Sequence, residues 1–233
     1  MSEPQFNRYS TGQLLAGSLS GRIASALADA INRNGQAVLA VSGGSTPRLL
    51  FQTLSKEDID WSKVTVMLVD ERFVPPSHER SNHRLVATHL LQNKAAFADF
   101  IPLYCDGMTP PEAATDAALK FEALGRALDV AVLGLGTDGH TASWFPESPE
   151  LKAVTDPNQS ATVLAASAPN LPEDRLTLTQ PVIGNAELAV LHIEGEEKND
   201  VLEKALKEGP VEELPLRAIL RQTKNPLQVY WTP

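Results

Sequence analysis

One cysteine in 233 residues, Cys105, leaves no partner for an internal disulfide and makes a reducing, cytoplasmic location the expectation. Cys105 itself reads as a small apolar filler. Basic excess is also missing. The formal net charge is −9, whereas a nucleic-acid partner calls for a basic face to neutralise phosphates; no nucleic-acid partner is expected. An anionic metabolite stays compatible if cations gather at its site. The stretch Met1-Ser2-Glu3-Pro4-Gln5-Phe6-Asn7-Arg8 lacks the apolar core of a signal peptide. No uninterrupted apolar run approaches the length of a membrane span, so no membrane partner is expected. Repeats, low-complexity tracts and long linkers are absent too, and residues 1–233 read as one α/β domain with ample core. Nothing in the sequence signals an oligomeric state.

What is present alternates between helix and strand. Leu15, Leu19, Ile23, Leu27 and Ile31 recur every fourth residue and predict an amphipathic helix over about 11–33, stopped by Asn34-Gly35. Ala37–Val41 reads as a buried strand, and Thr46 as the N-cap of a helix with Pro47 at its first position. Further strands are predicted at 64–69, 129–133, 162–164, 187–193 and 228–231. Further helices are predicted from Ser81 through Leu91, over 111–124 and over 196–207. The strands are continuously apolar, which indicates a mainly parallel sheet with helices on both faces.

Four polar motifs each follow the C-terminal end of a predicted strand: Ser42-Gly43-Gly44, Asp70-Glu71-Arg72, Gly134 to His140, and Glu194-Gly195-Glu196-Glu197-Lys198. In a parallel sheet those ends share one rim, where ligands bind. Ser42-Gly43-Gly44-Ser45-Thr46-Pro47 offers backbone N–H groups, hydroxyls and a helix start, an anion cradle suited to phosphate, or else a plain strand-to-helix turn. It lacks the Gly-Lys-Ser/Thr ending of a nucleotide loop. Arg72 can hold a phosphate or an oxyanion with its planar fork, or pair with Glu71 or Asp70 at the surface. Lys198 stands in a helix's first turn, where the dipole disfavours a cation and an anionic ligand would explain it. Arg175 faces the site or pairs locally. His83 and His89 read as helix-surface residues, His192 as a core or ladder residue, and Trp144 and Phe145 as core aromatics.

Gly134-Leu135-Gly136-Thr137-Asp138-Gly139-His140-Thr141-Ala142-Ser143 is the most informative segment. Histidine in a glycine-rich turn can take a proton near neutral pH, and a nearby aspartate can orient it. Its Gly-x-Gly-x-x-Gly spacing imitates a dinucleotide fingerprint, but Pro146 and Pro149 forbid the long helix that fingerprint requires. No second histidine stands at ligand spacing, so no metal is expected. No Gly-x-Ser-x-Gly elbow occurs, which leaves water as the attacking group.

Together these motifs resemble the 6-phosphogluconolactonase family. The resemblance rests on Ser42–Pro47, Asp70-Glu71-Arg72-Phe73-Val74-Pro75 with Ser81-Asn82, Gly134–Ser143, Arg175-Leu176-Thr177-Leu178-Thr179 and Gly195-Glu196-Glu197-Lys198, in that order. It implies a Rossmann-like sheet and hydrolysis of 6-phospho-D-glucono-1,5-lactone to 6-phosphogluconate, with neither metal nor organic cofactor. It further implies that His140 activates water, with Asp138 and Arg72 near the reacting centre. Ser42, Gly43, Gly44, Ser45, Thr46, Asp70, Asn82, Arg175 and Lys198 would bind the substrate and its phosphate. Glucosamine-6-phosphate deaminases share a similar Asp-Gly-His turn, but theirs continues Asn-Glu-Pro, whereas this chain continues Trp144-Phe145-Pro146-Glu147. A non-catalytic sugar-phosphate sensor would need the cradle but not His140, and no DNA-binding segment accompanies it.

Overall fold

The computed structural model describes residues 3–167 and 172–233; Met1 and Ser2 of the N-terminal stretch lie outside them. In chain order the elements are β1 (Gln5–Arg8), α1 (Gly12–Asn34), β2 (Ala37–Val41), α2 (Arg48–Leu54), β3 (Val64–Leu68) and β4 (Asp70–Arg72). Next come α3 (Asn82–His89), β5 (Asp99–Ile101), α4 (Pro110–Glu122), β6 (Val130–Leu133), α5 (Leu151–Val154) and β7 (Val163–Ala166). The chain closes with β8 (Arg175–Leu178), α6 (Gln180–Gly184), β9 (Leu188–Glu194), α7 (Glu196–Ala205), α8 (Arg217–Arg221) and β10 (Gln228–Thr232).

Seven strands form a parallel sheet in the order β1-β10-β9-β6-β2-β3-β5. Every residue of β2 and β6 is buried, so both faces at the centre are covered. Helix α1 lays Leu15, Leu19, Ile23 and Leu27 into this core. The Thr11 hydroxyl caps its start, and Gly35 ends it in the left-handed region with φ 79°. By length and composition α1 would also pass as a membrane span. Ser, Gly, Arg22 and Asp29 interrupt its apolar run. Its apolar stripe is packed against the sheet and α2.

The smaller sheet departs from the sequence-based reading. β4, β8 and β7 pair antiparallel in the order β4-β8-β7, so the predicted strand at 162–164 belongs to this sheet rather than to the parallel one. Helix α2 starts one residue later than expected. Pro47 is its N-cap and Thr46 makes no capping bond, since the Pro47 carbonyl already accepts the first helical N–H, from Phe51. With seven residues, α2 is barely two turns long. As Pro146 and Pro149 foretold, no long helix follows the glycine-rich turn, and only the single-turn α5 precedes β7.

Trp144 joins the two sheets. It is fully buried, and its indole N–H donates to the Leu178 carbonyl of β8 at 3.0 Å. Trp144→Ala should therefore cost about 3–5 kcal/mol, as large aromatic truncations in cores do, read as a lower urea midpoint; an unchanged midpoint would show that the loop contributes nothing to global stability.

Candidate active site

At the C-terminal rim of the parallel sheet, the turns after β2, β6 and β9 and strand β4 surround a cleft of about 240 Å³. Its volume suits one small metabolite rather than a dinucleotide. Ser42 to Pro47, Asp70, Arg72, Asn82, Gly134 to Gly136, His140 to Ala142, His192 and Lys198 reach its wall. The four motifs that the sequence placed at separate strand ends do converge.

The cradle is held from below. Ser42 donates its hydroxyl to the Val132 carbonyl and accepts the N–H of Gly134, so this hydroxyl stitches β2 to β6. Gly43 passes directly beneath Asn82, and a Cβ there would overlap the Asn82 carboxamide. Asn82 in turn donates its side-chain amide to the Asp70 carbonyl at 2.9 Å. The Asp70 carboxylate accepts the Ser143 hydroxyl at 2.7 Å, which ties the rim of β4 to the histidine loop.

Glu71 is completely buried, which overturns the alternative of a surface ion pair with Arg72. One carboxylate oxygen accepts the N–H groups of Arg72 (2.7 Å) and Asn82 (2.8 Å). The other accepts the N–H of His83 (2.7 Å) and the hydroxyl of Ser81 (3.1 Å). Burial pushes the Glu71 carboxyl up to about 7, against the opposing pull of the three backbone donors. Two of those donors are the otherwise orphaned N–H groups that open α3. Ser81 meanwhile caps α3 through the Arg84 N–H, as its sequence position predicted.

In the glycine-rich turn, His140 Nδ1 lies 2.5 Å from Asp138 Oδ1. A carboxylate only accepts, so Nδ1 carries a proton, and in the neutral ring Nε2 keeps its lone pair. Burial pushes the Asp138 carboxyl up, but the hydrogen bond and charge of His140 outweigh this and hold it below the usual range. Asp138 does not reach the cavity; it stands behind the imidazole. The ring packs on Phe145 with centroids 4.5 Å apart. Gly136 lies so close under it that any Cβ would strike both His140 and Asp138.

Lys198 points inward and donates to the Leu135 carbonyl. Burial lowers its pKa, opposed by the charges of Glu197 and Asp138. Arg72 donates to the Arg80 carbonyl at 2.5 Å through Nη1, and among the described residues its other guanidinium N–H groups meet no acceptor, which leaves them to the cleft that it lines. Arg175 does not line the cleft. Paired in register with Arg72, it is 2 % exposed, donates to the Glu173 carbonyl and packs against the Phe145 ring. Burial and the neighbouring Arg72 charge both lower its pKa. Among the described residues no cluster of three or more His, Cys, Asp or Glu is gathered as for a metal ion.

Sequence reasoning missed three contributors. The Ser143 hydroxyl and the Phe145 ring act on neighbours across space, which no spacing rule registers. His192 was read as a core residue; it is buried, yet it also lines the cleft. Its place two residues before the Glu194-Gly195 turn, at a strand's C-terminal end, was the available signal.

The family described as glucosamine-6-phosphate isomerases/6-phosphogluconolactonase matches residues 10–231. The 6-phosphogluconolactonase of Rhizobium meliloti is 50% identical over 219 residues, covering 94% of each chain. That of Pseudomonas aeruginosa is 44% identical, covering 94% of this chain and 89% of its own. Among solved structures, a 6-phosphogluconolactonase from Shewanella baltica superposes with a TM-score of 0.95 at 42% identity, covering 100% of this chain and 99% of that one.

Glu71→Gln tests the buried clasp. Whichever oxygen becomes an amide, two donors then face a donor instead of an acceptor. The variant should lose about 2–4 kcal/mol, the cost of unsatisfied buried donors, measured by urea unfolding at pH 8; wild-type stability would mean the carboxylate is not the acceptor for these groups.

Proposed function

The chain belongs to the glucosamine-6-phosphate isomerase/6-phosphogluconolactonase family, and on that premise we propose that it hydrolyses 6-phospho-D-glucono-1,5-lactone to 6-phospho-D-gluconate, in the cytoplasm. The observation that carries the chemistry is the 2.5 Å contact of His140 with Asp138, which leaves Nε2 as a proton acceptor on the cleft wall.

The steps follow from that placement. A water oxygen attacks the lactone carbonyl carbon while His140 Nε2 takes its proton. Asp138, ionised, favours the resulting imidazolium and keeps the ring in one tautomer. Negative charge grows on the carbonyl oxygen, where the free N–H groups of Arg72 provide a planar, charge-assisted partner. Collapse of the tetrahedral intermediate breaks the bond from the carbonyl carbon to the ring oxygen, which leaves with the proton from His140. The new carboxylic acid ionises, and the base is regenerated.

The phosphate lies at the other end of the cleft. The N–H groups of the Gly43–Thr46 turn and the Ser45 hydroxyl supply donors, and Lys198 supplies charge. Helix α2 is too short for its dipole to contribute much, so this seat rests on local donors and Lys198. Asp70 and Asn82 act on the substrate through the wall that they build. Arg175 supports this arrangement from behind Arg72, beneath Phe145.

The direct test generates the phosphorylated lactone in situ and measures acid release above spontaneous hydrolysis, with ammonia release from glucosamine 6-phosphate as control. Acid release without ammonia is expected; ammonia release would move the chain to the isomerase branch of its family. His140→Asn keeps the shape and removes the base, so kcat should fall by ~10²–10⁴-fold in a folded protein. An undiminished kcat would take the base away from His140.

Lys198→Ala should mainly raise KM, since its charge meets the phosphate in ground state and transition state alike. Equal kcat/KM for phosphorylated and unphosphorylated gluconolactone in the wild type would contradict the phosphate seat altogether.

A further inference from the structure

Among the described residues, His192 has one polar atom left without a partner. Nε2 of the ring lies 3.2 Å from Glu194 Oε1, while Nδ1 is buried and meets no hydrogen-bond partner there. The residue is 3 % exposed, and it forms part of the cleft wall. Strand register explains how it gets there. Leu133 pairs with Leu191 and Val41 with Val132, so one step onward His192 is level with Gly134, and across the next strand with Gly43. Gly134 has no side chain to stand between the imidazole and the cradle turn. Glu194 is tucked at the start of α1, its carboxylate oxygens 3.8 Å from the point where a Gly12 side chain would begin.

A buried polar atom without a partner is unfavourable unless a ligand or an ordered water meets it. Sulfate and phosphate dianions present only acceptors, and Glu194 already accepts from Nε2. A ring that binds such an anion through Nδ1 must therefore carry a proton on both nitrogens. We propose that His192 is a specificity-determining residue of the phosphate seat, an imidazolium backed by Glu194 whose Nδ1–H donates to a phosphate oxygen alongside Lys198. The identification of that anion as the substrate's phosphate rests on the lactonase reading above; the anion site itself does not.

Binding then takes up a proton at His192 whenever the empty site holds it neutral. Glu194 on its own strand contacts the ring, and the charged and titratable groups that line the cleft with it are Lys198 from α7, Asp70 and Arg72 from β4 and His140 from the turn after β6. Tyr230 on β10 pairs with it in register, and burial pushes that phenol up, which keeps it neutral.

The test uses sulfate, which does not titrate near neutral pH, and calorimetry between pH 6 and 8 in buffers of different ionisation enthalpy. Wild-type affinity should weaken as pH rises, with up to one proton taken up per sulfate bound. His192→Phe should bind sulfate about tenfold more weakly and take up no proton, as expected when one charge-assisted hydrogen bond is lost. With the phosphorylated lactone its KM should rise by a similar factor, with kcat within about twofold. His192→Asn keeps a donor near the Nδ1 position without a charge, so its sulfate affinity should not vary with pH. Should phenylalanine disturb the fold, this variant decides alone, and a wild-type pH dependence in it overturns the proposal. Glu194→Gln should move the proton uptake to lower pH.

Unchanged sulfate affinity and KM in a folded His192→Phe overturns the proposal while leaving lactone hydrolysis intact. His192-dependent sulfate binding in a wild-type protein that fails to hydrolyse the lactone would keep the anion site and remove the lactonase reading.

Discussion

Four donors from two separate segments converge on the carboxylate of Glu71, and most of the cleft hangs from that convergence. The Arg72 N–H bond fixes the register of β4 and hence the root of the Arg72 side chain. Bonds from Asn82 and His83 fix the first turn of α3, which brings the Asn82 carboxamide over Gly43 and so sets the height of the cradle turn. One side chain thereby couples the two ends of the cleft. Such a carboxylate is costly to bury alone, and it is tolerated here because each oxygen accepts two donors. Replacing it would disturb the anion turn and Arg72 together.

The histidine loop is held by close approach rather than by charge. Gly136 sits where no Cβ fits, and its N–H donates to the His140 carbonyl at 2.8 Å, so the turn folds back on itself beneath the imidazole. Ala142, with φ 48°, takes a left-handed conformation that a non-glycine residue adopts only at a cost. That bend sends Ser143 to Asp70 and drops Trp144 into the core. The local strain is offset by buried aromatic area and by two hydrogen bonds to the smaller sheet, one to β4 and one to β8. Only a well-packed surround holds a backbone this way, which is why the base stands on a loop yet is well anchored.

Much of this was legible in the sequence because the signals are local. Apolar runs and the four-residue period of α1 announced the parallel strands and the helix that covers them. The strand-end positions of Ser42, Asp70, Gly134 and Glu194 announced a shared rim. The three-stranded sheet was not legible as such, for β4 is three residues of charge, Asp-Glu-Arg, and β8 begins with a buried arginine. Neither resembles an apolar strand, and both are made strands by their partners. The alternative that set Glu71 in a surface ion pair fails for the same reason: a charged residue between two charged neighbours looks solvated until the donors from α3, more than ten positions away, are brought to it. For Arg175 the sequence left facing the site and pairing locally both open, since the choice depends on Glu173 and Phe145 in three dimensions.

The edge of the main sheet has a further consequence. Among the described residues β1 pairs with β10 alone, Gln5 beside Gln228 and Arg8 beside Trp231, and β10 in turn lies beside β9. Nearly the whole described chain separates these partners. Joining them closes a very long loop, and that cost is met by no local contact. This edge of the sheet is therefore a seam between segments far apart in sequence, whereas β2 and β3 within the same sheet are joined across a short stretch of chain.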